Sequence, residues 1–379
     1  MSHENPKQGR SKISALVLAA GSSQRMGRPK QLLPLGETTL LGHVLTTARQ
    51  ANVDEIVLVL GFAAEEIQQQ IPTSGLKVVI NQEYRRGMGT SLRMGLSATN
   101  LKTEGALVIL ADQPLVQAAT LSRMIEYHHS HSPQIVIPLY KGFRGNPVLL
   151  DRSVFAELKN LNGDVGCRAI FGSHAEQICK LSVDDPGILL DVDTPDDFHK
   201  LEALPGAERT AAGLLPRVDL EEGANRADQS LPELVIVGRD AVAVALVRFG
   251  RMLRFRTTLV DPFLRLEELP EADRILHRLD FSLLPVNPDG SIVVASRGQF
   301  DEEALEHALL SQARYVGLMA GRSRCAELIG MLKKKGLPEE NLNRLRAPAG
   351  LDIKAESAEE IALSIIGQIV SERRQSTTV

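Results

Sequence analysis

Two cations and two carboxylates stand out by their settings. Arg25 and Lys30 lie in a loop of small residues, Leu18-Ala19-Ala20-Gly21-Ser22-Ser23-Gln24-Arg25-Met26-Gly27-Arg28-Pro29-Lys30, that follows directly on an apolar run from Ile13. Asp112 ends a second apolar run in Leu110-Ala111-Asp112-Gln113-Pro114, and Asp193 sits in Asp191-Val192-Asp193-Thr194-Pro195. Glycine lets a backbone approach a ligand closely, so the bare N–H groups of such a loop can cradle phosphates. Lysine and arginine add fixed positive charge beside them. Mg²⁺ takes one or two protein carboxylates and fills its remaining positions with phosphate oxygens and water. Phosphate loop, cations and a carboxylate pair are the parts that phosphoryl transfer needs, since positioning and charge stabilisation do most of the catalysis. The loop is not the GxxxxGK[ST] type, because no Lys-Ser/Thr pair follows its glycines. Competing structural roles are a turn at Asp112 before Pro114 and a helix N-cap at Asp193.

These residues need a scaffold that brings strand ends together. From 13 to about 203, apolar β-rich runs (Ile13–Ala19, Glu55–Leu60, Leu76–Ile80, Ala106–Leu110, Gln134–Pro138) alternate with amphipathic segments (Leu40–Ala51, Ala63–Gln70, Thr90–Ala98, Ala118–His129). Alternation with continuous apolar strands predicts an α/β domain with a mostly parallel sheet covered on both faces. Ligands in such sheets bind at the carboxyl ends of the strands, where the loop and Asp112 both fall. A second α/β pattern runs through Glu233–Gly238, Thr257–Val260, Ser291–Ala295 and Tyr315–Met319, with helices expected at Asp240–Met252, Asp301–Leu310, Arg322–Lys335 and Ser357–Glu372. The organisation read from the chain is a disordered tail over 1–12, a first domain over 13–203, a Pro/Gly-rich linker over 204–231 and a second doubly wound domain over 232–379.

Bulk properties narrow the partners. A chain of 379 residues with 43% hydrophobic and 24% charged residues has the composition of a globular protein of two domains. A formal net charge of −4 offers no footprint for nucleic acid or an anionic membrane. Cys167, Cys179 and Cys325 form neither a disulfide framework nor a zinc pattern, which suits a reducing cytoplasm. Lys7, Arg10 and Lys12 before Ile13–Ala20 imitate a secretory signal, but the end of that run already serves the phosphate loop. His128, His129 and His131 read as a surface cluster rather than a metal site.

The order strand, then LAAGxSxRMGxPKxLLP, resembles the signature of the MobA/MocA-like nucleotidyltransferases, most nearly the molybdenum cofactor cytidylyltransferases. The resemblance implies that Leu18, Ala19, Ala20, Gly21, Ser22 and Ser23 bind the nucleotide, that Arg25 and Lys30 act on the leaving pyrophosphate, and that Asp112 and Asp193 hold Mg²⁺, with Asp191 as the alternative ligand. Asn81 and the loop Gly87-Met88-Gly89-Thr90-Ser91 resemble the family's base and ribose contacts, while Thr90 and Ser91 could also cap the next helix. Arg144-Gly145-Asn146-Pro147 and Gly163-Asp164-Val165-Gly166-Cys167-Arg168 resemble the family's molybdopterin-side segments, which assigns Asn146, Pro147, Asp164 and Arg168 to the acceptor. Asn146 stands where the family usually has histidine. The guanylyltransferases usually carry LAGG, so the methyl of Ala20 favours CTP over GTP. The activity implied is transfer of CMP from CTP to molybdopterin with Mg²⁺; use of GTP or a sugar phosphate, or a non-catalytic carrier of the cofactor, are the alternatives.

In the second half, Val235-Ile236-Val237-Gly238-Arg239-Asp240, with Asp261 at the end of a following strand, imitates a dinucleotide-binding unit. The fingerprint is broken, because Asp240 occupies the second glycine position and would set a carboxylate against a pyrophosphate. Tyr315–Arg324 and Arg346–Ile353 resemble the Rossmann-like domain of the XdhC/CoxI maturation factors. That resemblance implies handling of the molybdenum cofactor and its delivery to a molybdenum hydroxylase.

Overall fold

The computed structural model describes residues 12–23, 26–161, 163, 166–171, 173–202, 231–264, 271–279 and 288–375. The expected tail (all but Lys12) and nearly all of the expected linker lie outside them. The chain divides into two compact units, one of residues 1–140 and 144–214 and the other of residues 141–143 and 215–379.

The first unit is built on β1 (Ile13–Ala19), whose seven residues are all buried. α1 (Leu40–Gln50), β2 (Glu55–Leu60), α2 (Ala64–Gln70), β3 (Lys77–Ile80), α3 (Met88–Ala98), β4 (Gly105–Leu110) and α4 (Ala118–His131) follow. The continuous apolar β1 fits its place, with β2 and β4 parallel on its two sides. Leu18 pairs with Val59 on one side and Leu110 on the other, so the chain leaves all three strands at one edge, through Ala20, Gly61 and Asp112. β5 (Ile135–Tyr140), β6 (Val148–Asp151) and β7 (Ile178–Ser182) extend the sheet to the order β7-β5-β6-β4-β1-β2-β3, with β6 antiparallel to both its neighbours. α5 (Pro195–Glu202) packs Phe198 and Leu201 on Leu33, Leu35 and Leu40.

Two expectations change. α3 begins at Met88 on Gly87, so Thr90 and Ser91 lie inside its first turn and neither is the N-cap. His128 is not on the surface: it is 3% exposed and its ring Nε2 lies 3.0 Å from Asp151 Oδ2 at the end of β6. Its position on the inner face of α4, four residues after Met124 and three after Ile125, explains the burial.

The second unit holds β8 (Glu233–Val237), α6 (Ala241–Met252), β9 (Arg256–Val260), β10 (Arg274–Leu276), β11 (Ser291–Val294), α7 (Asp301–Leu310), β12 (Tyr315–Leu318), α8 (Arg322–Lys334), β13 (Leu345–Arg346) and α9 (Ala358–Gln375). Its sheet is parallel throughout, in the doubly wound order β10-β9-β8-β11-β12-β13. α6 and α9 share one core, where Ala243, Leu246 and Val247 join Ala362, Ile365 and Ile369. Among the described residues, no helix is long and apolar enough to cross a membrane.

Candidate active site

A cavity of about 1040 Å³ opens at the carboxyl edge of β1, β2 and β4. Leu18 to Ser23, Gly27, Arg28, Lys30 and Gln31 form one side of its lining, Phe62, Tyr84, Arg85, Gly87, Met88 and Ser91 another, and Leu110, Ala111, Asp112 and Asp193 the rest. Of the residues singled out from sequence, the structure therefore brings together Leu18, Ala19, Ala20, Gly21, Ser22, Ser23, Lys30, Gly87, Ser91, Asp112 and Asp193. Asn81, Gly89, Asn146, Pro147 and Arg168 are not in its lining. Arg25 and Asp164 lie outside the described residues.

The loop after β1 is held from behind by a residue that sequence reasoning passed over. Gln31 is 2% exposed, and its Nε2 donates to the carbonyls of Ala19 at 3.0 Å and Gly21 at 3.3 Å. Its Oε1 accepts from Ser23 Oγ at 3.4 Å, and that hydroxyl in turn accepts from the Lys30 backbone N–H at 3.1 Å. With those carbonyls turned inward to Gln31, the N–H groups of Gly21, Ser22 and Ser23 are spent on no partner among the described residues. A Cβ added at Gly21 would meet nothing within 4 Å, so the loop faces open space there. The signal available in sequence was an amide side chain heading the apolar run Leu32-Leu33-Pro34. Ala20 is 5% exposed, and the close approach of Gly61 leaves its methyl packed against that glycine.

Asp112, from the middle of the domain, and Asp193, from near its end, meet at Lys30. Lys30 Nζ donates to Asp112 Oδ2 and to Asp193 Oδ1, each at 2.7 Å. Burial alone would lower the lysine, but the charges and hydrogen bonds of the two carboxylates outweigh it and hold the ammonium above its ordinary pKa. Asp193 is free for this because capping falls elsewhere: the N–H groups of Asp193 and Thr194 donate to Asp197 Oδ2, and Asp197 N–H returns to Thr194 Oγ1. The Val192 N–H donates to the Asp112 carbonyl at 2.9 Å and fastens the two segments together. Gln113, also passed over, donates to Asp191 Oδ1 at 2.6 Å. Burial, with the charges of Asp112 and Asp193 beside it, pushes the Asp191 carboxyl well above the usual carboxylate range.

Asp112 Oδ1 is buried with no hydrogen-bond partner. An unsatisfied carboxylate oxygen costs stability unless something takes it up. All-oxygen donors, one of them unspent, fit a hard divalent cation such as Mg²⁺.

Asn81 belongs to the frame rather than the wall. It is fully buried, with Nδ2 donating to Thr90 Oγ1 and Ser91 Oγ at 2.9 Å each, and Oδ1 accepting from Glu83 N–H at 2.9 Å. It thereby ties the end of β3 to the first turn of α3 and sets the loop that carries Tyr84 and Gly87. The Phe62 and Tyr84 rings lie 6.4 Å apart, and the Arg85 guanidinium stands 5.7 Å from the Tyr84 ring centre. This aromatic face suits a planar base. The Asn146 segment sits behind the carboxylates, since the Ile188 carbonyl accepts from both Asn146 N–H at 3.0 Å and Gln113 Nε2 at 3.3 Å.

In the second unit the edge after β8 is closed by its own side chains. Asp240 Oδ1 accepts from Ala243 N–H at 2.9 Å, capping α6 where a dinucleotide phosphate would sit, and Oδ2 pairs with Arg297. Gly238 is required by packing, since a Cβ there would meet the Ala295 carbonyl. Asp261 directly follows β9 at 2% exposure and accepts from the N–H groups of Phe263 and Leu264.

Residues 15–178 match the MobA-like NTP transferase domain and residues 234–369 match the XdhC Rossmann domain. Nicotine blue oxidoreductase of Paenarthrobacter nicotinovorans is 29% identical over 50% of this chain and 96% of its own length. Molybdenum cofactor cytidylyltransferase of Escherichia coli (strain K12) is 26% identical over 50% of this chain and 94% of its own. The crystal structure of Rv0371c from Mycobacterium tuberculosis H37Rv is 39% identical, with 51% of this chain and 98% of that one covered and a TM-score of 0.48. Several other curated relatives are matched over only about a quarter of their length.

Proposed function

We propose that this chain, which joins a MobA-like NTP transferase domain to an XdhC Rossmann domain, is a nucleotidyltransferase that moves CMP from CTP to the terminal phosphate of molybdopterin. The observation that carries the reading is the meeting of Lys30, Asp112 and Asp193 beside a loop with unspent N–H groups. An oxygen of the acceptor phosphate attacks the α-phosphorus of the nucleotide. The bond from that phosphorus to the bridging oxygen breaks, and its electron pair leaves with pyrophosphate. The loop N–H groups and the Lys30 ammonium hold the departing charge. Mg²⁺ held by Asp112 and Asp193 would neutralise charge on the phosphates. The Phe62–Tyr84 face receives the base, and the Asn146–Ile188–Gln113 contacts support the acceptor side.

The likeness to a cytidylyltransferase over nearly that enzyme's whole length supports cytidine and molybdopterin as substrates. A relative of similar coverage is named for oxidoreductase activity; a lysine clasped by two carboxylates beside a phosphate loop supports phosphate chemistry instead. The XdhC domain supports handing the product to a molybdenum hydroxylase. The test supplies the purified full chain with Mg²⁺, molybdopterin and each of CTP, GTP, ATP and UTP, and measures pyrophosphate. Release with CTP alone is expected. Preference for GTP overturns the nucleotide assignment, and absence of pyrophosphate release with all four nucleotides leaves a carrier as the better reading.

A further inference from the structure

We infer that Lys30 is a built-in competitor of the divalent ion: its ammonium and the ion claim the same two carboxylates, so the first domain takes up metal tightly only when a nucleotide's phosphates draw Lys30 away. The inference rests on the nucleotidyl-transfer reading and adds an order of binding to it. Lys30 Nζ spans the pair, 2.7 Å from an oxygen of Asp112 and 2.7 Å from an oxygen of Asp193. The lysine side chain is 13% exposed and that of Asp112 is 23% exposed, so water screens the Lys30–Asp112 contact weakly, while Asp193, at 48%, is more open to solvent. A doubly charged ion brought to the same carboxylates meets the ammonium within a few ångströms and is repelled by it.

Asp112 Oδ1, buried and without a partner, leaves the ion one ligand atom, but on a carboxylate whose other oxygen the lysine already holds. The way out is short. The Lys30 backbone N–H is fixed to Ser23 Oγ in the phosphate loop, so the ammonium can pass from carboxylates to phosphates by turning its four-carbon stem alone. A compact point charge on a flexible stem suits that transfer, whereas the rigid fork of arginine favours staying on its carboxylates. Nucleotide and metal then bind with positive coupling, each removing an obstacle to the other.

The test titrates the full chain with Mn²⁺ at pH 8 without nucleotide and follows the electron paramagnetic resonance signal of the free ion. Lys30→Gln, which keeps a hydrogen-bond donor but loses the charge, is expected to bind Mn²⁺ at least about ten-fold more tightly than wild type. Lys30→Met should do the same and serves if the glutamine variant does not fold; Lys30→Arg, with its charge kept, should bind no more tightly than wild type. Once the Mn²⁺ bound by CTP itself, measured without protein, is subtracted, addition of CTP should tighten Mn²⁺ binding to wild type by about ten-fold and to Lys30→Gln far less. Unchanged or weaker Mn²⁺ binding by both folded neutral variants overturns the inference. Asp112→Asn separates this from failure of the parent reading: if it leaves Mn²⁺ binding untouched, the metal is not at this site at all. If it abolishes binding while the Lys30 variants change nothing, only the competition is refuted.

Discussion

Replacing Gln31 with methionine keeps the length and apolar stem of the side chain and removes its amide, which isolates the hydrogen bonds behind the phosphate loop. Three contacts are lost, but they are unequal. The Ala19 residue is 1% exposed, so its carbonyl is left without the Gln31 donor and has little access to water. Gly21 is exposed and its carbonyl can turn to water, while the Ser23 contact is long at 3.4 Å. The loss is therefore set mainly by one orphaned buried acceptor, about 1–3 kcal/mol. At about 2 kcal/mol the first domain should melt about 4–8 °C lower. The released loop no longer presents its N–H groups in advance, so binding of both substrate and transition state weakens. KM for the nucleotide should rise about ten-fold with kcat little changed. Gln31→Glu should be worse than methionine, because it aims a carboxylate oxygen at two carbonyls. Thermal melts and pyrophosphate release kinetics measure both effects. A glutamate variant that melts with wild type and keeps its KM would refute the clamp.

If the proposed reaction is right, Asp112→Ala should retain the fold and lose about a thousand-fold or more in CMP transfer, because one of the two carboxylates proposed to hold the metal is gone; Mg²⁺-dependent turnover near the wild-type rate rules the assignment out. The second domain should bind neither NAD⁺ nor NADH in the micromolar range by calorimetry on the full chain, since Asp240 already caps α6 with its own carboxylate. Micromolar binding there, or nicotinamide-dependent turnover, would overturn that. Asp151 gives a pH signature: hydrogen bonds from Ser153 and the His128 partner outweigh burial and hold its pKa below the ordinary carboxylate value. Its contribution is thus present above the unfolded-state pKa near 4 and fades as pH falls through the lower folded value. Asp151→Asn should lower Tm at pH 7 and leave a smaller gap at pH 3; an equal gap at both would assign the loss to packing.

The strands that position the chemistry were legible because they are buried on both faces and read as unbroken apolar runs. β1, β2 and the first strand of the second unit are examples, with bounds within a residue of expectation. β6 and β7 were not. They are four and five residues long, and β7, at the edge, alternates polar with apolar residues. Lys30, Asp112 and Asp193 could be named because each type is unusual in its setting, yet their ion pairs span 82 and 163 residues and no local pattern encodes them. Asn81 was legible as important, but its place behind the cavity wall was not, since an amide that organises two loops looks in sequence like one that contacts a ligand. Gln31 and Gln113 escaped because an amide buried against backbone carbonyls leaves no periodicity, charge or spacing behind.

The separation of the two carboxylates along the chain has a consequence for biogenesis. Lys30 comes early, Asp112 in the middle and Asp193 close to the end of the first domain. On a ribosome, the phosphate loop and β1 through β4 would be available long before the segment that delivers Asp193. Until it docks, through the Val192 to Asp112 backbone bond and the α5 contacts with Leu33 and Leu40, the site has one carboxylate and half a clasp on its lysine. Contacts of such long sequence separation are formed late, because loop closure must come first. On the proposed reading, a partly synthesised or clipped first domain would hold phosphates without being able to act on them, and competence would arrive with the last helix of that domain, as a single event that reports a completed fold.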